Sequence, residues 1–362
     1  MKVSRRAFLT GMALAGGSVL LRAQGSPERP VAPGTDSTTQ STPREPGTWE
    51  PAYVELERRG EFAARVEQAY SHLERCDLCP RQCGVNRLRG ETGICRAPRQ
   101  VAVYSYQPHF GEELPLVGRA GSGTVFFSNC NLRCVFCQNW PIAHEGRGRE
   151  RTDDQLADMM LALERNGCPN INVVTPTHVM PHILSATRIA MQKGLRTPLC
   201  YNTGGYELPQ IVRLLDGVVD IYLPDLKFMD GNQSETYLGT AADYPEMAKA
   251  SILEMHRQVG TVETDPNGVA RRGLMIRHLV MPNNVADTDK VIEWIAQNLP
   301  ADTYLNIMAQ YRVDHRAFEY PEIARAITRE EFIEAIDHAQ AAGLTNLDSR
   351  SLSNYQVFRR RS

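Results

Sequence analysis

Seven of the nine cysteines of this chain lie between residues 76 and 137, in two separate groups. The first group has the spacing Cys-x2-Cys-x3-Cys-x11-Cys and begins at Cys76. The second has the spacing Cys-x3-Cys-x2-Cys and begins at Cys130. Disulfide-stapled proteins are usually short and distribute their cysteines through their loops. In a chain of 362 residues, two such tight groups instead predict two metal sites.

The composition is that of a globular protein. Hydrophobic residues make up 42% and charged residues 23%, with a formal net charge of −2, so no basic surface for nucleic acid or for an anionic membrane is expected. No run of about 18 apolar residues follows the first 25 positions, so no membrane span is predicted in the mature chain. The isolated Cys168 and Cys200 are predicted to be small core residues.

The first 25 residues have the pattern of an export signal. Arg5 and Arg6 precede an apolar stretch rich in Gly and Ala that ends at Leu21, which is typical of the twin-arginine route. A chance Arg-Arg pair before a short membrane anchor is the alternative. Residues 26–50 are rich in Pro, Ser and Thr, which predicts a disordered linker.

The rest of the chain alternates short apolar strands with amphipathic helices. Helix starts are marked by Thr152 and by a capping box at Thr328. This alternation predicts parallel strands joined by right-handed crossovers, hence an α/β fold with a partial (β/α)6 TIM-type barrel over residues 111–345. An open doubly wound sheet is the alternative. An N-terminal helix and the Cys-rich segment would occupy residues 51–110, and a tail residues 346–362. The candidate strands are 124–128, 171–175, 199–202, 219–223, 274–280 and 304–308.

Each candidate strand runs into a polar cluster. Because active sites of such barrels lie at the carboxyl ends of the strands, we expect these clusters to form one polar pocket. Arg277 and His278 alternate along a strand, so only one of them can face the barrel interior. Arg277 is predicted to do so, where a buried guanidinium requires an anion such as a carboxylate. The clusters are Ser128-Asn129-Cys130, Thr175-Pro176-Thr177-His178, Asn202-Thr203-Gly204, Asp225-Leu226-Lys227, Arg277-His278 and Gln310-Tyr311.

The group Cys130, Cys134 and Cys137 follows the first of these strands. A four-iron cluster normally takes four thiolates, so three thiolates without a fourth nearby leave one iron open, as in catalytic metal sites. A zinc site with a distant fourth ligand and three buried cysteines are the alternatives. The spacing with Phe136 before the last cysteine resembles the signature of the radical S-adenosylmethionine (radical SAM) superfamily.

The likeness spans roughly residues 75–345 and is greatest to the pyruvate formate-lyase activating enzyme-like branch. It is carried by residues 121–127, 130–139, 170–178, 201–206, 220–227 and 276–282. The resemblance implies that the three cysteines ligate a [4Fe–4S] cluster whose open iron binds S-adenosylmethionine (SAM). Reductive cleavage of SAM would give a 5′-deoxyadenosyl radical that abstracts hydrogen. It also implies a one-electron donor such as a flavodoxin or ferredoxin, with a glycyl-radical protein as one candidate substrate.

Individual cofactor contacts follow from the same resemblance. Phe136 would lie near the adenine, Lys227 of the Asp225-x-Lys227 pair would approach the SAM carboxylate, and Thr203 would lie beside that site. Arg277 is a further cofactor-binding candidate.

Two positions depart from the superfamily pattern. Its Gly-Gly-Glu is replaced by Val174-Thr175-Pro176-Thr177-His178, where the hydroxyls of Thr175 or Thr177 would substitute, and Asn202 replaces an Asp.

The four cysteines Cys76, Cys79, Cys83 and Cys95 form a closed ligand set that predicts zinc or a second iron–sulfur cluster, with two disulfides as the alternative. Two functions stay open. The first is a radical SAM enzyme, and the second an exported iron–sulfur or zinc protein with an electron-transfer or binding role and no SAM chemistry. Because SAM is made in the cytoplasm, a cytoplasmic location is the alternative to export.

Overall fold

A computed structural model of the chain describes residues 49–360. The predicted export signal and nearly all of the predicted linker lie outside the described residues. Residues from Trp49 onward form one compact unit. Within the described part, none of the helices combines the length and the apolar character needed to cross a bilayer.

The strands are β1 (Val101–His109), β2 (Ser122–Phe127), β3 (Arg149–Arg151), β4 (Ile171–Val174), β5 (Leu199–Thr203), β6 (Ile221–Pro224), β7 (Glu263–Thr264), β8 (Ala270–Leu279) and β9 (Tyr304–Met308). The helices are α1 (Ala52–Arg58), α2 (Phe62–Ser71), α3 (Leu114–Val117), α4 (Trp140–Ala143), α5 (Asp153–Arg165), α6 (Met180–Gln192), α7 (Pro209–Val212), α8 (Gly231–Leu238), α9 (Tyr244–Val259), α10 (Thr288–Asn298), α11 (Arg329–Ala341) and α12 (Ser349–Arg359).

Six strands form a parallel sheet in the order β2-β4-β5-β6-β8-β9. These are the six strands that the sequence predicts, and the α/β fold class is confirmed. At the β2 edge the sheet continues with the antiparallel strands β1 and β3, so β2 and β9 are not joined and the barrel is partial.

The helices between the parallel strands begin and end where the sequence indicates. The Thr152 hydroxyl accepts the backbone N–H of Gln155, and the Gln155 side chain accepts the N–H of Thr152 in return. Thr328 and Glu331 form the same capping box at α11. Each box satisfies N–H groups that a helix start leaves without partners, which fixes where the preceding polar loop ends.

Both ends of the described chain are more ordered than the sequence predicts. The N-terminal part contains two helices and the strand β1 rather than one helix. It packs on the barrel, where the Tyr53 hydroxyl donates to the Thr197 carbonyl over 2.8 Å. The predicted tail contains α12, which is anchored by a hydrogen bond of 2.7 Å from the Ser351 hydroxyl to the Ile307 carbonyl.

Candidate active site

A cavity of about 270 Å³ lies at the carboxyl ends of the parallel strands. It brings together every barrel residue that the sequence proposed for the cluster and for SAM, except Thr177. These residues arrive from the ends of β2, β4, β5, β6 and β8, as the geometry of parallel strands requires. The lining includes Cys130, Cys134, Phe136, Cys137, Thr175, Asn202, Thr203, Asp225, Lys227 and Arg277.

The cysteine loop is held by the backbone of α8. The N–H groups of Arg133 and Val135 donate to the carbonyls of Leu238 and Tyr237 over 3.0 and 2.9 Å. Before the loop, Asn129 adopts a left-handed φ of 74°, which Asn tolerates better than most residues and which turns the chain from β2 into the cavity. Backbone contacts within the fold therefore position the loop.

Burial acts on the three thiols of this loop. It raises the pKa of Cys137 to about 12 and the pKa values of Cys130 and Cys134 above their ordinary range, although the nearby Lys227 ammonium opposes this effect at each sulfur. Thiols in such surroundings give up their protons when they bind a metal ion.

The donor set of the cavity suits an iron–sulfur cluster with an open iron. Its only cysteines are the three of the loop, because the other cysteines of the described residues lie elsewhere. In the described part, no group of three or more His, Cys, Asp or Glu side chains is arranged to hold a single metal ion. Three soft ligands beside polar side chains in one cavity would hold a cluster with one iron open to a second ligand.

Asp225 and Lys227 form an ion pair in the cavity that the cysteines line. Lys227 Nζ lies 2.5 Å from Asp225 Oδ2. Burial disfavours the ammonium, but Asp225 and the Cys134 sulfur outweigh burial and raise the pKa of Lys227 above its ordinary value. The Tyr244 hydroxyl accepts the backbone N–H of Lys227 over 3.0 Å. The cavity thus presents a fixed positive and a fixed negative charge side by side.

Arg277 points into the cavity, as predicted, but its anions are protein carboxylates. Its guanidinium donates to Glu113 Oε1 over 2.6 Å and also binds Glu112. Although burial works in the other direction, Arg277 and His109 hold the pKa of Glu112 down to about 2. Asn202 accepts a further bond from Arg277, with 3.3 Å between Nη1 and Oδ1. Sequence reasoning missed the two glutamates. The signal that could have found them was the expectation that a buried arginine needs a carboxylate partner.

His278 lies on the other face of the same strand, as the alternation predicts. Its ring nitrogens contact the Leu226 carbonyl at 2.7 Å and the Thr288 hydroxyl at 2.8 Å. Burial lowers the pKa of His278 to about 4. It is a neutral core histidine.

Thr177 does not reach the cavity. Its hydroxyl donates over 2.6 Å to Glu207, a buried carboxyl group that also binds the hydroxyl of Thr203. Burial raises the pKa of Glu207 to about 7. Sequence reasoning missed Glu207, which supports Thr203 from beneath. Thr175 does line the cavity with a left-handed φ of 59°, a strained conformation for a β-branched residue.

The Cys-rich segment contacts the cysteine loop of the barrel. Arg81 Nε donates to the Asn131 carbonyl over 3.1 Å, and Arg133 Nη2 donates to the Ile94 carbonyl over 2.7 Å. The four cysteines of this segment are free and line a second, small cavity. His178 also lines it and is buried rather than at the rim of the pocket.

A neighbouring cavity of about 400 Å³ shares Asn202, Arg277 and Gln310 with the first. His109 and Arg350 are among its other lining residues. The two cavities are therefore adjacent, and the second offers room for a molecule beside the cysteine loop.

The model of the radical SAM superfamily matches residues 124–232. The uncharacterized protein MJ0674 of Methanocaldococcus jannaschii is 33% identical over 290 residues, which cover 77% of this chain and 78% of that protein. Among solved structures, TYW1 with a lysine-pyruvate adduct bound is 10% identical at a TM-score of 0.39, covering 60% of this chain and 73% of that one. Streptococcus suis SuiB bound to precursor peptide SuiA has the same identity and TM-score, covering 59% of this chain and 43% of that one.

Proposed function

Because this chain belongs to the radical SAM superfamily, we propose that it is an enzyme that cleaves SAM at a [4Fe–4S] cluster to abstract hydrogen from a substrate. The observation that carries the proposal is that Cys130, Cys134 and Cys137 line the same cavity as the Asp225–Lys227 pair. Three thiolates supply a cluster with one open iron, and the charged pair faces it.

The residues of the cavity have distinct roles in this proposal. A cluster held by Cys130, Cys134 and Cys137 would supply one electron to SAM, whose C–S bond would break to give methionine and a 5′-deoxyadenosyl radical for hydrogen abstraction from the substrate. The Lys227 ammonium binds the SAM carboxylate, and the Asp225 carboxylate accepts from its amino group. Thr203 and Thr175 offer hydroxyls on the same wall. Arg277, neutralised by Glu112 and Glu113, braces Asn202.

Phe136 is proposed to pack against the adenine. It is held from behind by Phe228 and Tyr311, with ring centroids 6.1 and 6.3 Å away, and it lines the cavity. An aromatic ring fixed by two others offers a preformed face to a purine.

The finer proposal is that the enzyme acts as an oxidoreductase of the pyruvate formate-lyase activating enzyme-like branch. The Asp225-x-Lys227 pair supports this assignment. The neighbouring cavity is proposed as the place for the substrate, with a glycyl-radical protein as one candidate. A flavodoxin or ferredoxin is proposed as the electron donor. We further propose that the four N-terminal cysteines bind zinc or a second iron–sulfur cluster.

The test is the release of 5′-deoxyadenosine. The anaerobically reconstituted full chain, given SAM and a strong reductant, should release it, and Cys134→Ala should lose both the product and about four irons. Cys168→Ala is the matched control, because Cys168 is a buried thiol outside the cavity. A fully iron-loaded protein that releases no 5′-deoxyadenosine would contradict the proposal and favour an electron-transfer or binding role without SAM chemistry.

Export by the twin-arginine route is proposed from Arg5 and Arg6. Fractionation of cells that produce the tagged chain should find it outside the cytoplasm. The double variant Arg5→Lys, Arg6→Lys keeps the positive charge and should stay in the cytoplasm. Equal distribution of the two forms would contradict export.

A further inference from the structure

The small cavity of the Cys-rich segment contains a buried cation without an anion. Arg87 lies on a short 3-10 turn, Arg87–Arg89, and is only 1% exposed. Its Nη1 donates to the His178 carbonyl over 2.6 Å, and its Nη2 lies 3.4 Å from the Pro98 carbonyl. Its Nε is buried without a partner. Among residues 49–360, no carboxylate lies within ion-pair distance of this guanidinium.

An unpaired charge in such a place is expensive. Removing an ion from water costs several kcal/mol unless a counter-charge offsets the loss of solvation. No carboxylate of residues 49–360 supplies that counter-charge, whereas four cysteines line the same cavity as Arg87.

His178 adds a second unpartnered group to the same cavity. Its Nε2 lies 2.8 Å from the Ser128 carbonyl, and since a carbonyl only accepts, Nε2 carries the hydrogen. In the neutral ring Nδ1 is then a free lone pair, and it is buried without a partner. This is the hydrogen-bond arrangement of histidines that lie at metal centres.

We propose that Cys76, Cys79, Cys83 and Cys95 bind a metal centre as four thiolates and that Arg87 is its buried counter-cation. Four thiolates with one Zn²⁺, or with an iron–sulfur core of charge two plus, both form a doubly negative complex. Arg87 is therefore expected to stabilise either one. The inference rests on the proposed N-terminal metal site and adds Arg87 to it. It is independent of the proposed SAM chemistry, because no residue in it lines the barrel cavity.

The local backbone around Gly93 and Ile94 accommodates the sulfur of Cys83. The Ile94 N–H donates to Cys83 Sγ over 3.4 Å, and a Cβ on Gly93 would lie 2.7 Å from the same sulfur. Only glycine permits this approach. Because the sulfurs are not yet arranged for a single ion, metal binding must draw them together and release their protons to solvent.

The metal content of the second site can be measured on its own. The full-length triple variant Cys130→Ala, Cys134→Ala, Cys137→Ala lacks the barrel group of cysteines and keeps the N-terminal group. Anaerobic purification and reconstitution should leave about one zinc or about four irons per chain, and elemental analysis with visible spectra distinguishes the two. Adding Cys76→Ala and Cys95→Ala should remove the metal. Absence of both metals, or two disulfides found by mass spectrometry, would overturn the proposal.

The role of Arg87 is tested by the rate of metal loss to a chelator. Arg87→Gln should lose the metal at least tenfold faster than the parent, whereas Arg87→Lys keeps the charge and should stay near the parent rate. Arg89→Gln is the matched control, because Arg89 lies on the same turn but is exposed.

Two results would overturn the counter-cation role. One is a folded Arg87→Gln variant with the parent rate. The other is an Arg87→Lys variant that loses metal as fast as Arg87→Gln. A chain that holds this metal but releases no 5′-deoxyadenosine contradicts only the proposed SAM chemistry, so the two failures are distinguishable.

Discussion

Lys227 donates a hydrogen bond to Asp225 across 2.5 Å, in the cavity that the three cysteines of the barrel also line. The two side chains leave the end of β6 two residues apart and are both about one-fifth exposed. A pair of opposite charges at a cavity wall matches the amino and carboxylate groups of an amino acid. In the proposed function, this contact places the charges that would recognise SAM in the same cavity as the cysteine loop.

Lys227→Met is expected to lower the yield of 5′-deoxyadenosine at least tenfold while the iron content stays unchanged. The reason is that the ammonium disappears from the cavity, whereas the three cysteines remain. Product chromatography and an iron assay on the same sample measure both. Lys249→Met, which removes a lysine paired with Glu246 away from the cavity, should behave like the parent. Full product from Lys227→Met would exclude the role given to this lysine.

Arg277→Met is expected to lower the free energy of unfolding by roughly 3–5 kcal/mol near pH 7, because it leaves Glu112 and Glu113 buried without their cation. The difference in the free energy of unfolding between the parent and Arg277→Met should shrink in acid. The folded-state pKa of Glu112 is about 2, below the ordinary value of about 4.3. Its contribution to stability is therefore complete above the ordinary pKa and is lost as the pH falls toward 2.

Urea unfolding of the parent and of Arg277→Met between pH 7 and pH 3 measures this difference. A gap that stays constant over the whole range would contradict the assignment of Glu112 as the titrating partner. Arg316→Met is the matched control, because Arg316 pairs with Glu319 at the surface, where such pairs contribute about 1 kcal/mol or less.

Glu207→Gln is expected to stabilise the protein increasingly as the pH rises from 5 to 8. Burial raises the folded-state pKa of Glu207 to about 7. Between the unfolded and folded pKa values only the folded state holds the proton, so rising pH weakens the parent fold. Glutamine keeps an acceptor for Thr177 and Thr203 without the charge. Thermal unfolding midpoints across this pH range are the measurement, and a pH-independent difference between parent and variant would refute the expectation.

Gly205→Ala is expected to destabilise the fold and disrupt SAM binding together. Gly205 has a left-handed φ of 82°, and an added Cβ would lie 2.1 Å from the Asp225 carbonyl oxygen. The end of β6 would have to move, and Asp225 and Lys227 with it. Gly204→Ala is the matched control, because its Cβ would meet only side-chain atoms at 3.3 Å or more.

Thermal unfolding and SAM binding by calorimetry test both glycine variants. Gly205→Ala should unfold at a clearly lower temperature than Gly204→Ala. Equal stability of the two variants would show that the contact with Asp225 is not limiting.

The sequence located the cavity wall because its residues lie at, or just after, the carboxyl ends of apolar strands. Asp225 and Lys227 follow β6. Asn202 and Thr203 are the last two residues of β5, and Asn202 is the last of them to pair with β4. Parallel strands bring such positions to one edge wherever the chain runs between them. Thr177 escaped this rule because Thr175 has a left-handed φ, after which the chain enters a 3-10 turn that directs Thr177 beneath the cavity.

Local patterns thus determined the parallel strands, the helix caps and the two cysteine groups, because these depend on residues that are close in the chain. Only the tertiary structure decided which distant polar groups the buried arginines meet. Glu113 lies 164 residues from Arg277, and Arg87 lies 91 residues from His178. Pairing over such distances follows from how the layers pack and from the free energy of burying charge, neither of which leaves a periodic or short-range mark in the sequence.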